Sequence, residues 1–184
     1  NRSTGLGDVT ALAAGGCERR LEAGAPYHGS LLHAGPGHAE GWSCSTPVVL
    51  AWRPEAGKHT SIYIDDPVWK ESISRAGAKQ MQTLSEGEWN IERWTELLDS
   101  AKCFAEESGI QADSSRVDLL SVVDDAIQKC GITEESVALL CMLGESVTIV
   151  PSDAASEAGW SSRLVSELEK SGLQAIMTRV GETS

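Results

Sequence analysis

The spacing of apolar residues changes along this chain, and the clearest rhythm lies in its second half. Ile91, Trp94, Leu97, Leu98, Ala101 and Phe104 recur at helical spacing, which stacks their side chains on one helix face. Ser85 with Glu88 three residues on reads as a capping box that opens this helix. A second predicted helix opens at 113–115 and buries Val117, Leu120, Val123 and Ile127. A third, short one runs over 133–143, with Thr133 as its cap and Gly144 as its stop. Gly109-Ile110, Gly131-Ile132 and Gly172-Leu173 each pair a glycine with an apolar residue. That pairing is the signature of a left-handed helix stop whose next residue pins the chain back onto the helix.

The chain then reads strand, helix, strand. Residues 146–150 are β-rich and end at Pro151. Asp153 or Ser156 caps a helix bearing Trp160, Leu164, Val165 and Leu168, and 173–180 form the last strand. Such a unit predicts a parallel β-α-β crossover, right-handed if both strands share a sheet.

The first 60 residues have a different grammar. They hold 10 of the 18 glycines, four of the six prolines and all four histidines, a composition that favours loops. A helix is predicted over 9–21 with Asp8 as its cap, and an irregular chain over 24–41. A hairpin is predicted over 46–64: strand 46–52, a turn at Arg53-Pro54-Glu55-Ala56-Gly57, and a second strand ending at Asp65-Asp66-Pro67. The expected fold is thus α/β or α+β. A small sheet, made of the hairpin 46–64 and strands 146–150 and 173–180, packs with about four helices. The expected organisation is a neutral, Gly/Pro/His-rich arm over 1–60 and an acidic compact body over 61–184, which could equally form a single domain.

Charge sharpens this division. Residues 1–60 carry five acids and five bases, whereas residues 61–184 carry 22 acids and 10 bases and so hold the entire net charge of −12. An acidic surface repels phosphate backbones and anionic membranes, so neither nucleic acid nor a lipid surface is an expected partner. No run approaches the roughly 18 apolar residues that a membrane span needs.

Candidate chemistry gathers in the neutral part. His28, His33 and His38 recur every five residues and Cys44 follows; imidazole and thiolate are good zinc ligands, so these four would be the metal set of a zinc-stabilised module. Cys44 is also the best nucleophile candidate, with His38 or His59 as its base. Gly41-Trp42-Ser43-Cys44 resembles the Gly/Trp-flanked cysteine of papain-like enzymes, which would imply a Cys/His hydrolase. Tyr27-His28-Gly29-Ser30 resembles the histidine motif of ADP-ribosyltransferases, in which the histidine orients the nicotinamide ribose. Tyr63-Ile64-Asp65-Asp66 is similar to the metal-binding hairpin of reverse transcriptases, though an acidic turn accounts for it more simply. Gly5-Leu6-Gly7 is too short to be a phosphate loop. The turn from 150 into the helix after 153 could hold an anion but lacks the glycines for close approach.

Six tryptophans stand against one phenylalanine and two tyrosines. Trp94 and Trp160 are expected in the core. Trp42, Trp52, Trp69 and Trp89 lie beside predicted loops and strand ends, where tryptophan often anchors an interface. Five cysteines without a paired spacing point to a reducing compartment, such as the cytoplasm. The favoured expectation is therefore a non-catalytic structural or interaction protein without a cofactor. It would act as a subunit of a larger assembly such as a viral particle, with the start at Asn1 compatible with processing, and would bind a protein partner or a second copy of itself.

Overall fold

The computed structural model describes residues 16–22, 27–28, 33–55, 65–141 and 144–181. The chain is an α+β fold built on a four-stranded antiparallel sheet. In chain order the elements are β1 (Cys17–Arg20), β2 (Tyr27–His28), β3 (His33–Ala34), β4 (Ala39–Trp42) and β5 (Pro47–Trp52). There follow α1 (Pro67–Leu84), a 3-10 turn (Ile91–Arg93), α2 (Trp94–Glu107), a second 3-10 turn (Ile110–Ala112) and α3 (Ser114–Cys130). The chain ends with β6 (Ser136–Leu140), β7 (Ser146–Pro151), α4 (Ser161–Lys170) and β8 (Gln174–Arg179).

The main sheet runs in the order β6-β7-β5-β8, with every neighbour antiparallel. β7 and β8 flank β5 and oppose it, so they run in the same direction: the expected parallel β-α-β unit exists, with β5 inserted between its strands. Both edges of β5 are taken by β7 and β8, while the expected hairpin partner at 60–64 lies outside the described residues. Two short antiparallel pairs, β1 with β4 and β2 with β3, complete the strands.

Strand alternation sorts the interior into two cores. Val49, Ala51, Val147, Ile149 and Ala175 face α3 and α4, meeting Leu119, Val123, Leu164 and Leu168, all fully or nearly fully buried. Residues one step off in register, Val48, Val150, Val137 and Leu139, face the other way onto Trp42, Trp89, Trp94, Leu84 and Leu98. This second core covers only part of its sheet face.

The glycine stops are present as left-handed residues. Gly131 has φ 70° and Gly172 φ 85°, and the amides of Ile132 and Leu173 reach back to the carbonyls of Ile127 (3.3 Å) and Leu168 (3.1 Å). Both apolar residues are buried, which completes the expected motif.

Four local expectations are corrected. Residues 136–140 form β6 rather than part of a helix over 133–143, because Val137 and Leu139 enter one core while Ala138 and Leu140 enter the other. A strand covered on both faces reads as a continuous apolar run. Ser85 caps the C-terminus of α1 instead of opening α2; Asn90 caps the 3-10 turn there, accepting from the Glu92 amide at 3.1 Å. α1 itself is announced by Asp66-Pro67: the Asp66 carboxylate accepts from the amides of Val68 (2.8 Å) and Trp69 (3.3 Å), and Pro67 occupies the first helical position. Finally, Cys17–Arg20 is a strand, which overturns the last part of the helix expected over 9–21.

Candidate functional site

The uncovered half of the sheet face holds a cavity of about 400 Å³, lined by Leu50, Trp52, Arg53, Glu55, Cys141, Glu145 and Ser146. β5 supplies its floor. Leu50 and Trp52 alternate outward, with Thr148 and Ile176 as the cross-strand partners of Leu50 and Ser146 and Gln174 as those of Trp52. Ile176 is 49% exposed, so this part of the face is accessible from solvent.

The β6–β7 turn forms one wall, and it is held from behind. Arg116 is almost fully buried and donates from Nη1 to the Ile110 carbonyl (3.2 Å) and from Nε to the Gly144 carbonyl (3.4 Å). The Ser115 hydroxyl lies 2.7 Å from Asp113 Oδ1 and 2.9 Å from Glu145 Oε1, bridging the cap of α3 to the turn. The Cys141 sulfur meets the Thr148 hydroxyl at 2.9 Å across the hairpin. Arg53 stands at the point where β5 leaves the sheet, and among the described residues its buried Nε–H has no hydrogen-bond partner. A guanidinium retaining a buried, unused donor beside a cavity is suited to receive a carboxylate or phosphate oxygen. The Arg53 signal was present in the sequence as a lone cation at a strand end; Glu145 had no comparable signal.

A second concavity of about 310 Å³ lies between α2, α3 and β6, bounded by Ala101, Lys102, Ala105, Leu120, Asp124 and Ile127 among others. It offers a mostly aliphatic floor with charges at its rim.

The tryptophans expected at an interface divide. Trp42 and Trp89 are buried, with ring centroids 6.2 Å apart; Trp94 stands edge-on to Trp42 at 6.3 Å. The Trp89 ring is approached by two guanidiniums, Arg19 at 5.3 Å and Arg93 at 5.7 Å, and its indole N–H donates to the Cys17 carbonyl at 2.9 Å. Trp69 is half-buried against Gly109. Trp52 lines the cavity and Trp160 packs beside the α3–α4 core.

The histidine set lies only partly within the described residues. His28 and His33 are cross-strand partners in β2 and β3, and His33 is exposed. His38 is exposed with Nε2 3.8 Å from Glu40 Oε1. His59, like the Tyr63-Ile64 pair and Gly5-Leu6-Gly7, lies outside the described residues. Among the described residues no three His, Cys, Asp or Glu side chains could hold a metal ion. The side-chain neighbour of Cys44 is the thiol of Cys17, whose pKa is pushed up to about 12 by burial first and then by Cys44.

No family model and no curated protein matches this sequence. Among solved structures, the chain is similar to one titled "Phosphotransferase related to CoA biosynthesis pathway". The likeness has a TM-score of 0.62 at 20% identity and covers 96% of this chain and 49% of that one. The chain therefore spans about half the length of this structural relative. At that identity the fold is what is shared.

This finding corrects the expectation of a non-catalytic assembly component or viral-particle subunit. That reading drew on tryptophans thought to lie at the surface and on a loop-rich arm. Trp42 and Trp89 instead fill the interior, β1 and β4 are hydrogen-bonded strands, and the fold they belong to occurs in a phosphotransferase.

Proposed function

We propose that this chain forms part of a small-molecule phosphotransferase, and that the cavity at the open end of the sheet contributes to binding its anionic substrate. The likeness of fold over nearly the whole chain carries the reading; the unpaired Arg53 donor beside the cavity supports it. Phosphoryl transfer is catalysed mostly by positioning and electrostatic stabilisation, so it requires cations and backbone N–H groups aimed at phosphate and acceptor. In this reading Arg53 orients a carboxylate or phosphate of the substrate, Trp52 and Leu50 pack its apolar part, and Ser115 and Arg116 keep the Glu145 turn in place.

Phosphotransferases commonly use Mg²⁺ held by one or two carboxylates and completed by substrate phosphates. Glu55 and Glu145 line the cavity and are the carboxylates that would hold it there; the metal would neutralise charge on the transferred phosphoryl group. An overall acidic surface is compatible with this, because a nucleotide is met at one local cation rather than along a polyanionic backbone.

No helix among the described residues is long and apolar enough to cross a membrane. A reducing compartment fits the five free thiols. Self-association is our expectation for partners, through the exposed Ile176 and Met177 of edge strand β8.

The test is ADP release from ATP and Mg²⁺ by the protein, offered hydroxyl-bearing carboxylic acids that are precursors of coenzyme A. Turnover with one of them is expected. Arg53→Ala should raise KM for that acid roughly ten- to a hundredfold, the equivalent of about 1.5–3 kcal/mol for a charge-assisted bond, with secondary structure unchanged. Failure to bind ATP together with no turnover on any such acid would overturn the reading.

A further inference from the structure

Cys17 and Cys44 are 27 positions apart in sequence and adjacent in the fold. Cys17 opens β1, where its cross-strand partner is Trp42 of β4. Cys44 follows Trp42 by two residues and so falls on the same side of the ribbon. In a regular ladder such a diagonal pair stays about 7–8 Å apart. Here β4 has ended at Trp42, the chain leaves the ladder toward β5, and the Cys44 thiol comes within hydrogen-bonding reach of Cys17. Both side chains are half-buried against the tryptophan core. The other thiols are placed apart: Cys103 is exposed on α2, Cys130 is buried in the α3–α4 core, and Cys141 is engaged with Thr148.

We propose that Cys17 and Cys44 are a redox pair that closes to a disulfide by exchange with a small-molecule disulfide such as oxidised glutathione. The inference stands on this geometry and is independent of the phosphotransferase reading. In the first step the Cys44 thiolate attacks one glutathione sulfur; the S–S bond of glutathione breaks, and the departing thiolate takes a proton from solvent. In the second step Cys17 gives its proton to solvent and attacks the Cys44 sulfur, releasing the second glutathione as thiolate. Two cysteine thiols are thereby oxidised by two electrons, and one glutathione disulfide is reduced to two thiols. The order follows from the environment. Burial holds the Cys17 thiol protonated, which makes it a poor first nucleophile. Capping Cys44 as a mixed disulfide removes the neighbouring charge that adds to that effect, so Cys17 becomes the resolving thiol. The new bond would tie the start of β1 to the segment leading into β5 and close a loop containing β1 to β4.

The experiment uses the full chain, reduced and then equilibrated in glutathione buffers of increasing oxidised fraction. Remaining thiols are alkylated under denaturing conditions and peptides are mapped by mass. The expected product is a Cys17–Cys44 linked peptide that disappears with excess dithiothreitol. Cys44→Ser should abolish both the link and any adduct at position 17. Cys17→Ser should leave a stable glutathione adduct on Cys44, while Cys103→Ser should leave the link unchanged. The wild-type peptide map is informative even if a serine variant folds poorly. A stable adduct on Cys44 in the wild type without a link would overturn the proposal, as would cross-links scrambled among all five cysteines.

Discussion

The two ends of one sheet face are built by the same strands and differ in what lies over them. At one end, Val48 of β5 and Val150 of β7 meet three tryptophans, Trp42 packing against both Trp89 and Trp94, and the N–H groups of Trp89 and Trp94 each reach a backbone carbonyl. At the other end, Leu50 and Trp52 of the same β5 look into a cavity beside a half-exposed Ile176. Two residues of strand separate a core from a site. The lesson is that alternation decides which face a side chain enters, whereas the elements brought over that face by distant sequence decide whether it becomes stability or function.

Truncating each end should separate them most strongly. Trp94 is 5% exposed, and its indole N–H donates to the Pro151 carbonyl at 3.0 Å. Trp94→Ala should therefore cost about 3–5 kcal/mol through lost transfer energy and the cavity left behind. Trp52 borders solvent, so Trp52→Ala should cost below about 1.5 kcal/mol while impairing ligand binding. Chemical denaturation of the two variants measures this directly. Equal losses would break the distinction between a covered and an open end.

The covered end also depends on one buried cation. Arg19 is 5% exposed; it donates to the Leu84 carbonyl at 2.6 Å and the Gly87 carbonyl at 3.2 Å, pairs with Glu40, and stacks on Trp89. It thereby ties β1 to the end of α1. Removing it takes away the side-chain donor of the Gly87 carbonyl and leaves the Leu84 carbonyl to Arg93 alone, at about 1–3 kcal/mol. Arg19→Ala should lower the melting temperature accordingly, and Arg19→Lys should recover only part of the loss, because an ammonium lacks the planar fork that reaches several acceptors. Full recovery by lysine would show that charge alone acts here.

Much of the acidic body was legible in sequence because its signals are local. Glycine stops need only one left-handed residue and one apolar anchor, and Gly131-Ile132 and Gly172-Leu173 supplied both. The periodicity of α4 and the strand after it were likewise readable, but α4 opens at Ser161 with Trp160 as its cap rather than at Asp153 or Ser156. α1 was not, since its interior face uses small residues: Ala76 is buried, and Gly77 lets Phe104 approach to 3.7 Å of where a Cβ would stand. β6 was hidden because both its faces are covered. The cavity was least legible. Arg53 lies far in sequence from Glu145 and Ser146 and meets them only through pairing of β5 with β7, a contact that no local pattern encodes.

The smallest expected effect concerns the second concavity, whose rim carries Asp124. Its carboxyl pKa is raised, first by burial and then by the adjacent charge of Asp125, so ionisation weighs against the folded state. A folded-state pKa above the unfolded one means that the favourable contribution is fully present below the ordinary carboxyl range. It is lost as pH rises through the folded-state value. Asp124→Asn should thus stabilise the chain at neutral pH, by less than about 1 kcal/mol because the group remains partly solvated. The gain should vanish at pH values where the aspartate is already protonated. Thermal melts of both proteins across an acid-to-neutral series would show the curves converging at low pH. A gain that persisted there would place the effect in packing or helix propensity rather than in the charge.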